Sequence, residues 1–138
     1  MTGTNKILGG GGFHHVAVRV KDFDAAVRFY TEVLGLRATL SWGEGDSRAV
    51  LMDTGNGSFL EVFAGAKSTD GSEAPLMHVA LNCKDVDGVT ESARRVGAQV
   101  TIEPKDLEIP SNPPLPVRIA FFRGPGGELI ELFCQRKA

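Results

Sequence analysis

The chain has 138 residues, 42% of them hydrophobic and 23% charged, with a formal net charge of −2 and a pI near 5.9. That composition fits one globular domain long enough to bury a core, and excludes a disordered chain. It offers no basic field for nucleic acid or an acidic membrane surface, and no stretch approaches the ~18 consecutive apolar residues of a membrane helix.

Met1 to Gly12 holds a glycine run, Gly9 to Gly12, and lacks a signal peptide's apolar centre. Residues 1–12 are expected to be a flexible lead-in to a single domain at 13–138, and the cytoplasm is the expected location. Residues 13–20, FHHVAVRV, alternate and predict a strand. His15, Ala17 and Arg19 fall on one face, with Val16, Val18 and Val20 on the other. His14 turns away from His15 and is expected at the surface or against a helix. A helix capped by Asp22 or Asp24 should follow, with Phe23, Ala26, Val27, Tyr30, Val33 and Leu34 as its apolar stripe and Gly35 as its end. It is the natural cover for the valine face.

Three strands are expected next, near 36–42, 47–53 and 58–64. Thr54-Gly55-Asn56-Gly57 makes a hairpin of the last two. Trp42 lies in the glycine-rich stretch SWGEG, and either caps a pocket or covers the core. Residues 65–75, rich in Gly, Ser, Thr and Asp, predict a linker. The β-α-β-β-β order then recurs: a strand at 76–83, a helix near 86–96 stopped at Gly97, and strands near 99–103, 117–123 and 128–134. Gly124-Pro125-Gly126-Gly127 forms the final turn. Between 106 and 116, Pro110, Pro113, Pro114 and Pro116 predict an extended surface loop, either a lid or a tolerated excursion. Cys83 and Cys134 are two thiols without a CxxC, and predict small buried or edge hydrophobes rather than a disulfide scaffold.

The two halves are copies. Phe13-His14-His15-Val16-Ala17-Val18 aligns with Leu76-Met77-His78-Val79-Ala80-Leu81 at an offset of 63 (78 − 15), which also matches Lys21-Asp22 to Lys84-Asp85 and Asp24 to Asp87. Arg48 to Phe63 aligns with Arg118 to Phe133 at an offset of 70 (131 − 61) without a gap. One supersecondary unit built twice makes His15 equivalent to His78 and Glu61 equivalent to Glu131. Each glutamate is mid-strand among apolar neighbours on both faces, a costly place for a carboxylate without a cation. Two units related by a pseudo-two-fold axis would bring His15, Glu61, His78 and Glu131 to one point, a site for one divalent metal. The bland alternative is four satisfied core residues, with each glutamate paired to an arginine.

Two neutral imidazoles and two carboxylates suit Ni, Zn, Co, Mn or Fe(II), and leave two positions for a substrate with oxygens on adjacent carbons. Carbonyl polarisation makes the neighbouring C–H acidic, and its loss gives a metal-bound enediolate. Arg19, Arg48 and Arg118 are read as sharing strand faces with the cleft, where they either hold an anionic substrate tail or pair with acids at the sheet edge.

The run HVAVRVKDFDAAVRFYTEVLGL from His15 to Leu36, HVAL from His78 and GPGGELIELF from Gly124 together resemble the vicinal oxygen chelate superfamily, which includes glyoxalases, bleomycin-resistance proteins and dioxygenases. The resemblance spans residues 13–135. It implies an α+β fold of two tandem βαβββ modules, about 13–64 and 76–135, forming curled mixed sheets around a metal cleft. The ligand positions fall on His15, Glu61, His78 and Glu131, the quartet most like glyoxalase I. Epimerases of the family typically carry Gln at the Glu61 position, dioxygenases use three ligands, and bleomycin binders generally lack them.

The resemblance further implies a metal-dependent lyase or isomerase, with Glu131 as first candidate for the base and Glu61 handling the proton at the neighbouring carbon. It implies that Arg19 holds an end of glutathione, that the substrate is a thiol adduct of a 2-oxoaldehyde, and that the protein is a homodimer. Gly65 stands where glyoxalase I has an Asn, which argues against glutathione. An epimerase, another family enzyme, or a non-catalytic small-molecule binding protein are the competing readings.

Overall fold

The computed structural model describes residues 3–68, 75–125 and 128–137. The chain divides into two compact units. One comprises His15–Met77 and Pro110–Pro114; the other comprises Met1–His14, His78–Ile109 and Leu115–Ala138. The elements in chain order are β1 (Phe13–Arg19), α1 (Phe23–Glu32), β2 (Arg37–Trp42), β3 (Ala49–Asp53), β4 (Phe59–Phe63), β5 (Leu76–Asn82), α2 (Val86–Arg95), β6 (Val100–Ile109), β7 (Leu115–Arg123) and β8 (Leu129–Gln135), with a 3₁₀ turn at Gly45–Ser47. This is βαβββ twice. No helix among the described residues is long and apolar enough to cross a membrane.

In the first unit the strands run in the order β2-β3-β4-β1. β1 is parallel to β4, while β2–β3 and β3–β4 are antiparallel. The period-two alternation of β1 turns Val18, with Val20 beyond the strand, toward α1. There they pack with Phe23, Ala26, Val27 and Tyr30 around Val50, Met52 and Val62. α1 starts where Asp22 Oδ1 accepts the Ala25 amide at 3.0 Å, satisfying one of the donors a helix start leaves open. The opposite sheet face carries His15 and Ala17, which are 1% and 0% exposed.

The second unit repeats the plan in the order β5-β8-β7-β6. β5 is parallel to β8, and β7 is antiparallel to both β8 and β6. Asp85 Oδ1 accepts the Gly88 amide at 2.9 Å, the same cap shifted by the repeat offset. The helix face of this sheet closes over Cys83, Val86, Ala120 and Leu132, flanked by Leu81, Val89 and Phe122. Both helices run out at a glycine, Gly35 and Gly97, whose φ values of 74° and 92° let the chain turn off the helix.

Two segments differ from the sequence expectation. The lead-in does not stand clear of the domain. Leu8 is 9% exposed and belongs to the second unit's core. Its carbonyl accepts the Lys84 amide at 3.1 Å, and the Gly12 carbonyl accepts the Asn82 amide at 2.9 Å. The apolar pair Ile7-Leu8 in a glycine-rich stretch is a weak signal, and Ile7 stays exposed, but the glycines let the backbone come close to β5.

The expected proline loop is mostly hairpin. β6 extends to Ile109 and β7 begins at Leu115, pairing Ile109 with Leu115 and Glu108 with Pro116. Only residues 110–114 connect them. Pro104 is tolerated because β6 is the outermost strand of its sheet and its ladder shifts register between Ile102 and Lys105, where Pro104 sits; Pro110, Pro113 and Pro114 fall in the connection, and Pro116 is only the second residue of β7. Pro116 keeps its acceptor in use, taking the Arg136 amide at 2.8 Å. The centre of the linker, 69–74, and the Gly126-Gly127 half of the last turn lie outside the described residues.

Candidate active site and metal centre

In the first unit the parallel register sets Ala17 opposite Glu61, and the antiparallel register sets Leu51 on its other side. His15 lies two residues before Ala17 on the same face, opposite Phe59. His15 and Glu61 are therefore diagonal neighbours across a pair of strands. Nε2 of His15 lies 3.3 Å from Oε1 of Glu61.

The second unit builds the same corner from the repeated residues. Ala80 is opposite Glu131, Phe121 flanks Glu131 on the other side, and His78 is the diagonal neighbour. Nε2 of His78 lies 3.1 Å from Oε1 of Glu131. The His78 ring stands edge-on to Phe121 with centroids 5.2 Å apart. A small residue two positions after each histidine is what lets the glutamate reach it.

All four side chains are withdrawn from water. His15, Glu61, His78 and Glu131 are 1%, 5%, 8% and 6% exposed. A carboxylate this buried costs several kcal/mol unless charge or hydrogen bonds compensate it. Imidazole and carboxylate are the donor types that take a divalent ion of the Zn, Ni, Co, Mn or Fe class, and His15, His78 and Glu131 each offer a ligand atom from a buried position. These donor types fit a metal.

The three arginines separate. Arg19 shares the face of His15 and Ala17. Its guanidinium lies 5.6 Å from the centre of the Phe63 ring, and Nη1 donates to the Ala64 carbonyl at 2.8 Å. Trp42 stands edge-on to the same phenyl ring, centroids 6.3 Å apart. Arg19 is held beside the His15–Glu61 face by a cation–π contact and one backbone bond, which uses one of its five N–H donors.

Arg48 and Arg118 lie on the other side of their sheets, contrary to the sequence expectation. Each has the strand parity of the helix-facing residues: Val50 and Met52 for Arg48, Ala120 and Phe122 for Arg118. Nη1 of Arg48 donates to Asp24 at 3.1 Å, and its guanidinium stacks 4.6 Å from the Phe23 ring. Arg118 grips both oxygens of Asp87, at 2.9 and 2.7 Å, and donates to Asp106 at 3.0 Å. These bonds hold the Asp87 carboxyl below its ordinary value and the Arg118 guanidinium above its own. Both arginines clamp a strand to the first turn of the helix that covers it. The signal was available: the 63-residue offset that matches Asp24 to Asp87 and the 70-residue offset that matches Arg48 to Arg118 also preserve this pair.

His14 is also placed differently from expectation. It is 8% exposed and stacks on Phe133, centroids 4.0 Å apart at 27°. Gly65, where an Asn was the family expectation, has φ of +96°. A Cβ there would meet the Asp46 carbonyl oxygen at 2.9 Å and Nη1 of Arg19 at 3.2 Å. The backbone at this position accepts only glycine without strain, and a side chain would press first on the Asp46 carbonyl and then on Arg19.

Known proteins share this plan. The chain is similar to a probable lactoylglutathione lyase of Vibrio parahaemolyticus, 25% identical over 95% of this chain and 96% of the relative. It is similar to a 2-epi-5-epi-valiolone epimerase of an Actinomyces species, 31% identical over 96% of this chain and 83% of the relative. Its fold matches the crystal structure of methylmalonyl-CoA epimerase from Mycobacterium tuberculosis with a TM-score of 0.71, at 23% identity, over 91% of this chain and 89% of that one. Residues 12–132 match the Glyoxalase/Bleomycin resistance protein/Dioxygenase superfamily, and the chain belongs to that superfamily.

Proposed function

We propose that this protein is a metal-dependent lyase or isomerase of the glyoxalase I kind, and that His15, Glu61, His78 and Glu131 hold one divalent ion between them. The observation that carries the reading is the duplicated buried contact, His15 to Glu61 at 3.3 Å and His78 to Glu131 at 3.1 Å. A protein that only binds small molecules has no need for two buried carboxylates, each facing an imidazole, at positions made equivalent by duplication. When bound, the ion supplies Lewis-acid polarisation of a carbonyl oxygen.

The rest is the work of the chain. Glu131 takes the proton from the carbon beside the carbonyl, leaving an enediolate. Glu61 returns a proton to the neighbouring carbon, and the hydrogen has moved by one position. Apolar walls, Phe121 in one unit and Leu51 and Phe63 in the other, keep water from competing for those protons. Arg19 binds the anionic end of the substrate with the guanidinium donors that Ala64 does not use. Homodimer assembly belongs to the same proposal, and analytical ultracentrifugation tests it.

A second reading, an epimerase, has its own support. Gly65 leaves no room for the asparagine associated with glutathione recognition, and the Actinomyces relative is named as an epimerase. In an epimerase the proton returns to the carbon it left. One assay separates the two. Chelator-stripped protein is reloaded with Ni, Zn, Co or Mn and offered the methylglyoxal–glutathione hemithioacetal. Formation of the thioester product supports the lyase. No product with any of the metals removes it, and exchange of the α-proton of a 2-substituted acyl thioester in heavy water would then select the epimerase.

A further inference from the structure

The two cysteines stand apart from this site. Cys83 follows β5 directly, and Cys134 lies in β8. These strands are parallel neighbours whose register pairs Leu81 with Leu132 and Asn82 with Phe133. One further step of that register sets Cys83 beside Cys134. The Cys83 amide, donating to the Phe133 carbonyl at 3.0 Å, continues the ladder at that point.

Alternation turns both side chains to the helix face, away from His78 and Glu131. There Cys83 forms part of the cluster with Leu8, Val86, Ala120 and Leu132, and Cys134 packs against it. Adjacent strands lie about 4.8 Å apart, within the ~4.4–6.8 Å between Cα atoms that disulfides span. Both cysteines are free thiols. Both also line one shallow cavity of about 240 Å³ with Leu8, Gly9 and Lys84. Cys134 is partly exposed, whereas Cys83 is 3% exposed.

We propose that Cys83 and Cys134 are a redox site that closes into a reversible intramolecular disulfide when the protein meets a hydroperoxide. Cys134 reacts first, because it is the more accessible and because burial pushes the Cys83 thiol up, away from thiolate. Cys134 gives up its proton and its thiolate attacks the terminal peroxide oxygen; the S–O bond forms, the O–O bond breaks, and the departing hydroxide or alkoxide takes up that proton as water or an alcohol, leaving Cys134 as the sulfenic acid. Cys83, losing its proton, attacks the sulfenic sulfur. The S–S bond forms, the S–O bond breaks, and hydroxide leaves as a second water after taking that proton. Two thiols are oxidised and one peroxide is reduced. Shielding from bulk solvent favours Cys83 as the resolving partner over an outside thiol. The bond ties together the two strands that carry His78 and Glu131, so its closure fixes the spacing of that half of the site.

The test uses the full chain in its folded state. It is exposed to equimolar hydrogen peroxide, alkylated, digested and read by mass spectrometry. The expected result is loss of both alkylatable thiols from the same molecules, a peptide pair joining Cys83 to Cys134, and recovery of both thiols with dithiothreitol. In Cys83→Ser, dimedone should trap the sulfenic acid on Cys134. Two thiols still alkylated after treatment, Cys134 driven to sulfinic acid beside a free Cys83, or cross-links only between molecules would each overturn the proposal. The wild-type protein alone decides it, whether or not the serine variant folds.

Discussion

Replacing Glu61 with Gln separates a metal ligand from a merely satisfied core carboxylate. The substitution keeps shape and volume at a site that is 5% exposed, and removes a charge. In metal-free protein it lifts the desolvation cost of the carboxylate, so stability should hold or rise. With metal the order reverses. An ion present at 100 times its dissociation constant stabilises the folded state by about 2.7 kcal/mol. For this length, unfolding entropy of roughly 0.29 kcal/mol per kelvin turns that into a rise in Tm of about 9 °C. Losing one ligand should weaken binding by about 100-fold or more. At the same metal concentration only about 0.4 kcal/mol, or ~1 °C, then remains. Thermal unfolding followed by circular dichroism, on chelator-stripped protein with and without Ni, Zn, Co or Mn, reads all four states. A Glu61→Gln variant that gains the same 9 °C as wild type would refute Glu61 as a ligand. A wild type that no ion stabilises would refute the shared site altogether.

Three further predictions concern the scaffold around that site. Asp87→Asn should lower Tm near neutral pH by breaking the paired bonds from Arg118, and the difference should fade in acid. The folded-state value of Asp87 is depressed, so its contribution is complete above the unfolded value of about 3.9 and is lost as pH falls through the lower folded value; a wild-type-to-variant gap in Tm that persists near pH 2 contradicts this. Gly65→Asn should cost about 1–3 kcal/mol, because the side chain adopts an unfavourable φ and meets the Asp46 carbonyl; unchanged urea unfolding would show that the loop yields freely. Met52→Ala empties a fully buried position between β3 and α1 and should cost about 2–5 kcal/mol, measured by the same unfolding titration.

Much of the site was legible in the chain because two simple periodicities act together. The 63- and 70-residue offsets identify equivalent histidines and glutamates, and strand alternation then says which neighbours share their face. The pairing of His15 with Glu61, and of His78 with Glu131, also needed the parallel registers of β1 with β4 and β5 with β8, which the fold supplies. The same parity rule, counted three residues back from Leu51 and Phe121, places Arg48 and Arg118 toward the helices; the sequence expectation puts them on the cleft face.

Other features depend on what a segment meets far along the chain. Leu8 stands beside an equally apolar Ile7 in a polar, glycine-rich stretch, and no local pattern shows that Leu8 is the buried one or that its partners are Cys83, Val86 and Leu132. Pro104 argues against a central strand, yet β6 is an outer strand, and only the sheet order reveals that its missing amide bond costs little. Gly65 reads in sequence as a lost asparagine, and in three dimensions as a left-handed turn closed in by the Asp46 carbonyl and Arg19. Local chemistry and period-two geometry travel with the residues themselves. Edge position, burial of an isolated side chain and the room beside a backbone are properties of contacts between distant segments, and only the folded chain decides them.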